Sequence, residues 1–156
     1  MTTRDIVKKY IPLGIGIIIL IILFIYFVFP PFGKMVCEVN SAPGDMNASY
    51  TYVADFSLWR VYNFKMVETV RSADNENLLT YRESIEKEMS KYKNLDYYDN
   101  LIVVENRTLT NIVTIDYKNI DMDQLQKLDK SFSKKYINIY RLKRIYRKNG
   151  AVCKYV

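Results

Sequence analysis

Residues Tyr10 to Gly33 form one uncharged run, YIPLGIGIIILIILFIYFVFPPFG, and Ile17–Leu23 holds only Ile and Leu. A helix needs about 20 apolar residues to cross the hydrocarbon core of a bilayer. The run therefore predicts a transmembrane anchor over residues 10–31, ended by Pro30-Pro31, which do not continue a helix easily. A cleaved signal peptide has a shorter apolar region and a small-residue cleavage site. The stretch Phe29-Pro30-Pro31-Phe32-Gly33-Lys34 contains no such site. Tyr10, Tyr26, Phe27, Phe29 and Phe32 suit the two membrane interfaces. The middle of the run has no polar side chain, which argues for a plain anchor rather than an ion or proton path.

Beyond Gly33 the pattern changes period. MVCEVN at 35–40 reads as a short strand, and Ser41-Ala42-Pro43-Gly44-Asp45 as a turn. Tyr50, Tyr52, Ala54 and Phe56 alternate with Thr51, Val53 and Asp55, the period of a half-buried strand. After a connection at Ser57–Trp59, Tyr62, Phe64 and Met66 alternate with Asn63 and Lys65 in a third. These three predict an antiparallel meander. Leu78, Tyr81, Ile85, Met89 and Tyr92 then recur at steps of three and four, the apolar stripe of a helix capped by Ser72 or Asp74. Leu101–Val104 predicts a short strand. Leu109, Val113, Ile115 and Tyr117 share one face of the next. Asp121 opens a short helix as its cap. Ile139, Leu142, Ile145 and Tyr146 draw the stripe of a last helix, stopped by Asn149-Gly150, and Ala151–Val156 adds a final strand.

The fold class expected is α+β. One N-terminal transmembrane helix precedes an antiparallel-sheet ectodomain, ordered β-β-β-α-β-β-α-α with a short C-terminal strand. The domains expected are a cytoplasmic N-terminus at 1–9, the anchor at 10–31, a linker at 32–36 and an extracellular domain at 37–156. Charge sets that direction. Arg4, Lys8 and Lys9 precede the span while only Lys34 follows closely, and positive residues stay inside. The whole chain carries +6, of which residues 34–156 keep +4. That balance permits contact with anionic surfaces and does not call for nucleic acid.

Histidine is absent, which removes the commonest general base and metal ligand. Two cysteines, Cys37 and Cys153, cannot build a zinc cluster by themselves. Outside the cytoplasm thiols tend to be oxidised, so the two are expected to form one disulfide clasping the first and last ectodomain strands. The alternatives are free thiols or an intermolecular bridge. The segment Lys127–Lys154 holds ten basic residues and a single acid, Asp129. Its helix carries Arg141, Lys143, Arg144, Arg147 and Lys148, a candidate membrane-facing basic patch beside an alternative reading as a solvated helix face. The fourteen tyrosines fall mostly in strand-like segments and read as core and cross-strand pairs.

There is no phosphate-binding glycine loop, nucleophile elbow or zinc-ligand pair. The best carboxylate pair is Asp96 and Asp99 around Tyr97-Tyr98, in a stretch that turn chemistry alone explains. No catalytic residue, metal or cofactor is therefore expected. Ser49-Tyr50-Thr51-Tyr52, the stretch Thr114–Leu125 and the ending Tyr146–Lys154 (YRKNGAVCK) together resemble the YehR-like lipoproteins and related small membrane-anchored proteins of low-GC Gram-positive bacteria. The resemblance spans roughly residues 37–154 and implies an α+β domain displayed outside the cell membrane, with no activity attached. Gly33-Lys34-Met35-Val36-Cys37 is not a lipobox, so the helix replaces a lipid as the anchor. The expected role is a non-enzymatic binding or structural protein of the bacterial cell envelope. Its partners would be the bilayer through residues 10–31, anionic lipid or a cell-wall polymer, and another envelope protein. The alternative is an accessory subunit of a larger membrane complex.

Overall fold

The computed structural model describes residues 16–26, 28, 30–42, 45–128 and 137–156. The chain divides into two compact units, Met1–Pro31 and Phe32–Val156. In the first, residues 16–26 are helical, and Ile17–Tyr26 expose large apolar side chains. Among the described residues no helix is long and apolar enough to cross a membrane. The expected start of the anchor, residues 10–15, and the N-terminal segment 1–9 lie outside the described residues.

The second unit is an α+β domain in the predicted order. Its strands are β1 (Phe32–Ser41), β2 (Asn47–Ser57), β3 (Arg60–Arg71), β4 (Tyr98–Glu105), β5 (Thr108–Asp116) and β6 (Val152–Tyr155). Its helices are α1 (Asn75–Met89), continued by a 3-10 turn at Ser90–Tyr92, then α2 (Met122–Leu128) and α3 (Ile139–Lys148). The six strands form one sheet in the order β4-β5-β3-β2-β1-β6, with every described pairing antiparallel. Residues 32–36, expected as a linker, are instead the first half of β1. They pair with Val53–Ser57 across the ladder, which satisfies their backbone groups.

One face of the sheet is buried under the helices. Met35, Cys37, Ala54, Phe56 and Val61 pack with Leu125, Ile139 and Leu142 in one cluster. Ala48, Val70 and Leu109 pack with Leu78 and Ile85 of α1 in another. The other face carries Thr51, Lys65, Thr69, Thr110 and Thr114, the polar outward set of a sheet with one wet side. Asp74 caps α1, its Oδ1 accepting from Glu76 N at 2.9 Å. Asp121 caps α2 by accepting from the Asp123 and Gln124 amides.

Two hairpins close on two residues each. Leu58 and Trp59 (φ 47° and 62°) join β2 to β3, and Asn106 and Arg107 (φ 47° and 60°) join β4 to β5. Both are left-handed at both central positions, the arrangement whose twist matches the flanking strands. Asn tolerates that backbone; Leu and Trp do not, at a cost of roughly 1–2 kcal/mol per residue. Just after the first turn the register jumps from Phe56↔Val61 to Asp55↔Asn63, leaving Tyr62 as an extra residue. This bulge turns Val61 into the core and removes Tyr62 from the face expected for it beside Phe64 and Met66.

At the other margin, β6 pairs with β1 and sets Cys37 opposite Cys153. Lys34 and Val156 exchange both backbone hydrogen bonds, at 3.2 and 2.8 Å, so alternate pairs along this ladder are the close, non-bonded ones. Cys37 and Cys153 are such a pair, with Cα atoms 4.0 Å apart, and they form the disulfide.

Candidate functional site

Helix α3 begins where Asn138 Oδ1 accepts from the Tyr140 and Arg141 amides, at 2.9 and 3.4 Å. Ile139 and Leu142 are buried, and the Tyr146 ring stacks on Tyr52 with centroids 4.2 Å apart. Gly150 (φ 85°) ends the helix: its amide donates to Arg147 O and the Ala151 amide to Tyr146 O, closing the last carbonyls. Ile145, expected in the buried stripe, is instead exposed among the cations. Burying Ile139, Leu142 and Tyr146 turns positions 144, 145 and 148 outward.

Four of the five cations singled out in the sequence come together. Lys143, Arg144, Arg147 and Lys148, with Tyr140, line an open cleft of about 480 Å³; Arg141 does not line it. Lys143 Nζ lies 4.0 Å from the centroid of the Tyr155 ring, a cation–π contact across to β6. Burial first, and the Arg147 charge second, hold the Lys143 ammonium below the ordinary lysine value. The ion pairs Lys34–Asp55 and Arg82–Glu86 lie elsewhere, and among the described residues no carboxylate pairs with Lys143, Arg144, Arg147 or Lys148. Arg147 and Lys148 also favour the helix C-terminus electrostatically. Chemically the surface can attract and orient an anion.

A second polar constellation lies under α1. Glu68 on β3 is only 4% exposed, and its cross-strand partners are Tyr50 on β2 and Asn111 on β5. Asn111 Nδ2 donates to Glu68 Oε2 at 2.9 Å, and the Tyr81 hydroxyl donates to Oε1 at 2.5 Å. Tyr50 on β2 lies beside the same group, directly opposite Glu68. Asn100 Nδ2 then donates to Asn111 Oδ1 at 2.7 Å and to Ile112 O. A polar row thus crosses β2, β3, β5 and β4 inside the covered face. A carboxylate with these donors is anchored rather than poised, because its lone pairs are already engaged. Asn100 is where the row meets an open cleft of about 560 Å³ between the end of α1 and β4. Asp99 also lines that cleft, from within β4 rather than from the expected loop. Asp96 lies in the preceding turn. Among the described residues no group of three or more Asp, Glu or Cys side chains is placed to hold a metal ion.

Burial governs the tyrosines. It pushes the Tyr98 and Tyr117 hydroxyls up to about 12 and raises Tyr50, Tyr81 and Tyr146, with the Glu68 hydrogen bond adding to the rise at Tyr81. Raised values mean that the fold favours the neutral phenols. Their stabilising contribution is whole below the ordinary value near 10 and is lost as the pH climbs through the folded values. Unfolding between pH 10 and 12 is therefore expected, with a burst of tyrosinate absorbance coincident with loss of β-sheet circular dichroism. Smooth ionisation near 10 with the sheet intact would contradict it.

No protein-family model and no curated protein matches this chain. Two solved structures share its fold. The NMR structure of the E. coli YehR protein superposes with a TM-score of 0.52 at 18% identity, covering 78% of this chain and 91% of that one. The NMR structure of a protein from Streptococcus pneumoniae TIGR4 gives 0.53 at 11% identity, covering 77% and 84%. The YehR-like fold expected from the sequence is thereby supported.

Proposed function

We propose that the chain is a membrane-tethered, non-enzymatic binding domain of a bacterial cell envelope, which holds phosphodiester anions on the cationic face of α3. The observation that carries this is the cleft of Lys143, Arg144, Arg147 and Lys148, which gathers four cations with no described carboxylate partner. Residues 10–31 provide the tether in this reading, with residues 1–9 inside and the second unit outside. The Tyr10–Gly33 run and the charge asymmetry around it support that direction. The disulfide fits an oxidising compartment. The anion is a phosphodiester presented by a lipid headgroup or by a wall polymer.

The test uses the full chain in phosphatidylcholine nanodiscs. One arm adds soluble polyglycerol phosphate; the other adds vesicles with and without phosphatidylglycerol. Replacing Arg144, Arg147 and Lys148 by Gln is expected to weaken binding at least about tenfold, since each cation near an anionic surface contributes about 1 kcal/mol. Binding should also fall with salt. Retention of full affinity by the triple variant, or no binding to either probe, would sink the reading.

A further inference from the structure

The β2–β3 turn spends backbone strain to display apolar side chains. Leu58 is 60% and Trp59 40% exposed, yet both sit in the left-handed region. The opposite end of the same sheet builds the same turn from Asn106 and Arg107, residues suited to water, so the geometry alone does not call for Leu-Trp. Strained, exposed positions of this kind are where function is sought.

The turn has apolar company. Phe32 pairs with Ser57 at the start of β1, and Val156 exchanges hydrogen bonds with Lys34 beside it. Phe32 is 51% and Val156 74% exposed. Lys34, Tyr62 and Lys118 line an open hollow of about 610 Å³ together with Phe32, Val156 and Asp55, whose carboxylate holds Lys34 loosely at 3.7 Å. Apolar tips flanked by lysines and a tyrosine match the boundary between acyl chains and phosphates. The turn is also braced. The Ile139 amide donates to Trp59 O and the Val61 amide to Ile137 O, both at 2.9 Å, so the tip is held rather than waving.

We infer that this end of the sheet is a second lipid contact: Leu58, Trp59 and Phe32 enter the headgroup boundary while Lys34 and Lys118 meet phosphates. The inference rests on the proposed reading of residues 10–31 as a span, because β1 begins at Phe32, one peptide bond beyond it. A span ending at Pro31 leaves Phe32, the next residue, at the bilayer surface, the level that Trp also favours.

Trp59 is the only tryptophan, so the native chain carries its own probe. The full chain is placed in vesicles whose lipids are brominated near the headgroup, and Trp59 fluorescence is read. Two comparison proteins carry Trp59→Phe together with either Arg107→Trp at the far turn or Tyr26→Trp in the apolar run. Strong quenching of Trp59, several-fold above that at position 107, is expected, with Lys34→Gln and Lys118→Gln lowering it in anionic lipid. Quenching of Trp59 no greater than at position 107, with the position 26 probe still quenched, overturns the contact and leaves the span intact. An unquenched position 26 probe removes the span, and the contact with it. A native-like circular dichroism spectrum and an intact disulfide in each variant show that the fold is the same.

Discussion

Replacing both Cys37 and Cys153 by serine is expected to lower the unfolding free energy of the folded domain by about 4–5 kcal/mol. The two residues are 116 apart in sequence, so the bond closes a loop that holds almost the whole domain. Chain entropy in the unfolded state is reduced most by such long closures. The native state loses something too. Strand β6 has four residues and one described strand neighbour, β1, and the α3 C-terminus runs directly into it. Without the bond this corner has few interactions to stop it from fraying. Urea titration of the full chain with and without reductant, and of the double variant, measures the effect. Midpoints that coincide in all three would show that the ladder alone holds the corner.

Glu68→Ala is expected to cost about 1–3 kcal/mol, since removing the shared acceptor leaves buried donors desolvated and unpaired. The orphans are the Asn111 amide and the Tyr81 hydroxyl. Glu68→Gln keeps the shape but places an amide donor against existing donors, and an intermediate loss is expected. A double-mutant cycle of Glu68→Ala and Asn111→Ala separates the pair from general packing, with coupling of about 0.5–3 kcal/mol expected for residues in one network. Additive losses in that cycle would mean that each side chain acts alone.

These two features differ in how far the sequence revealed them. The cysteines were legible because each lies in a terminal strand and the chain has no third. The element order was legible because Tyr50-Tyr52-Ala54-Phe56 and Leu78-Tyr81-Ile85-Met89 carry clean periods of two and of three to four. Glu68 and Asn111 were not. A polar residue inside an alternating strand looks like an interruption until its partner is known, and these two are 43 residues apart. One signal was present: Glu68 is in phase with Phe64, Met66 and Val70, and Asn111 with Leu109 and Val113. The Tyr62 bulge escaped for a similar reason, since only the partner strand shows which residue is extra. Of the basic site, the sequence showed the cations. Burial of Tyr146 and Leu142 decided which of them share a cleft, and why Ile145 stays outside.

The pairing of the first strand with the last also sets a clock. Cys37 is made long before Cys153, and no partner for it exists in the chain until 116 further residues have followed. At about 5–20 residues per second, synthesis keeps it waiting roughly 6–23 s. Throughout that interval β1 lacks the neighbour on one margin, and its thiol is open to any passing oxidant or second chain. The margin that the disulfide fastens is thus the last to be completed. It is the part whose success depends on redox chemistry being slower than the ribosome.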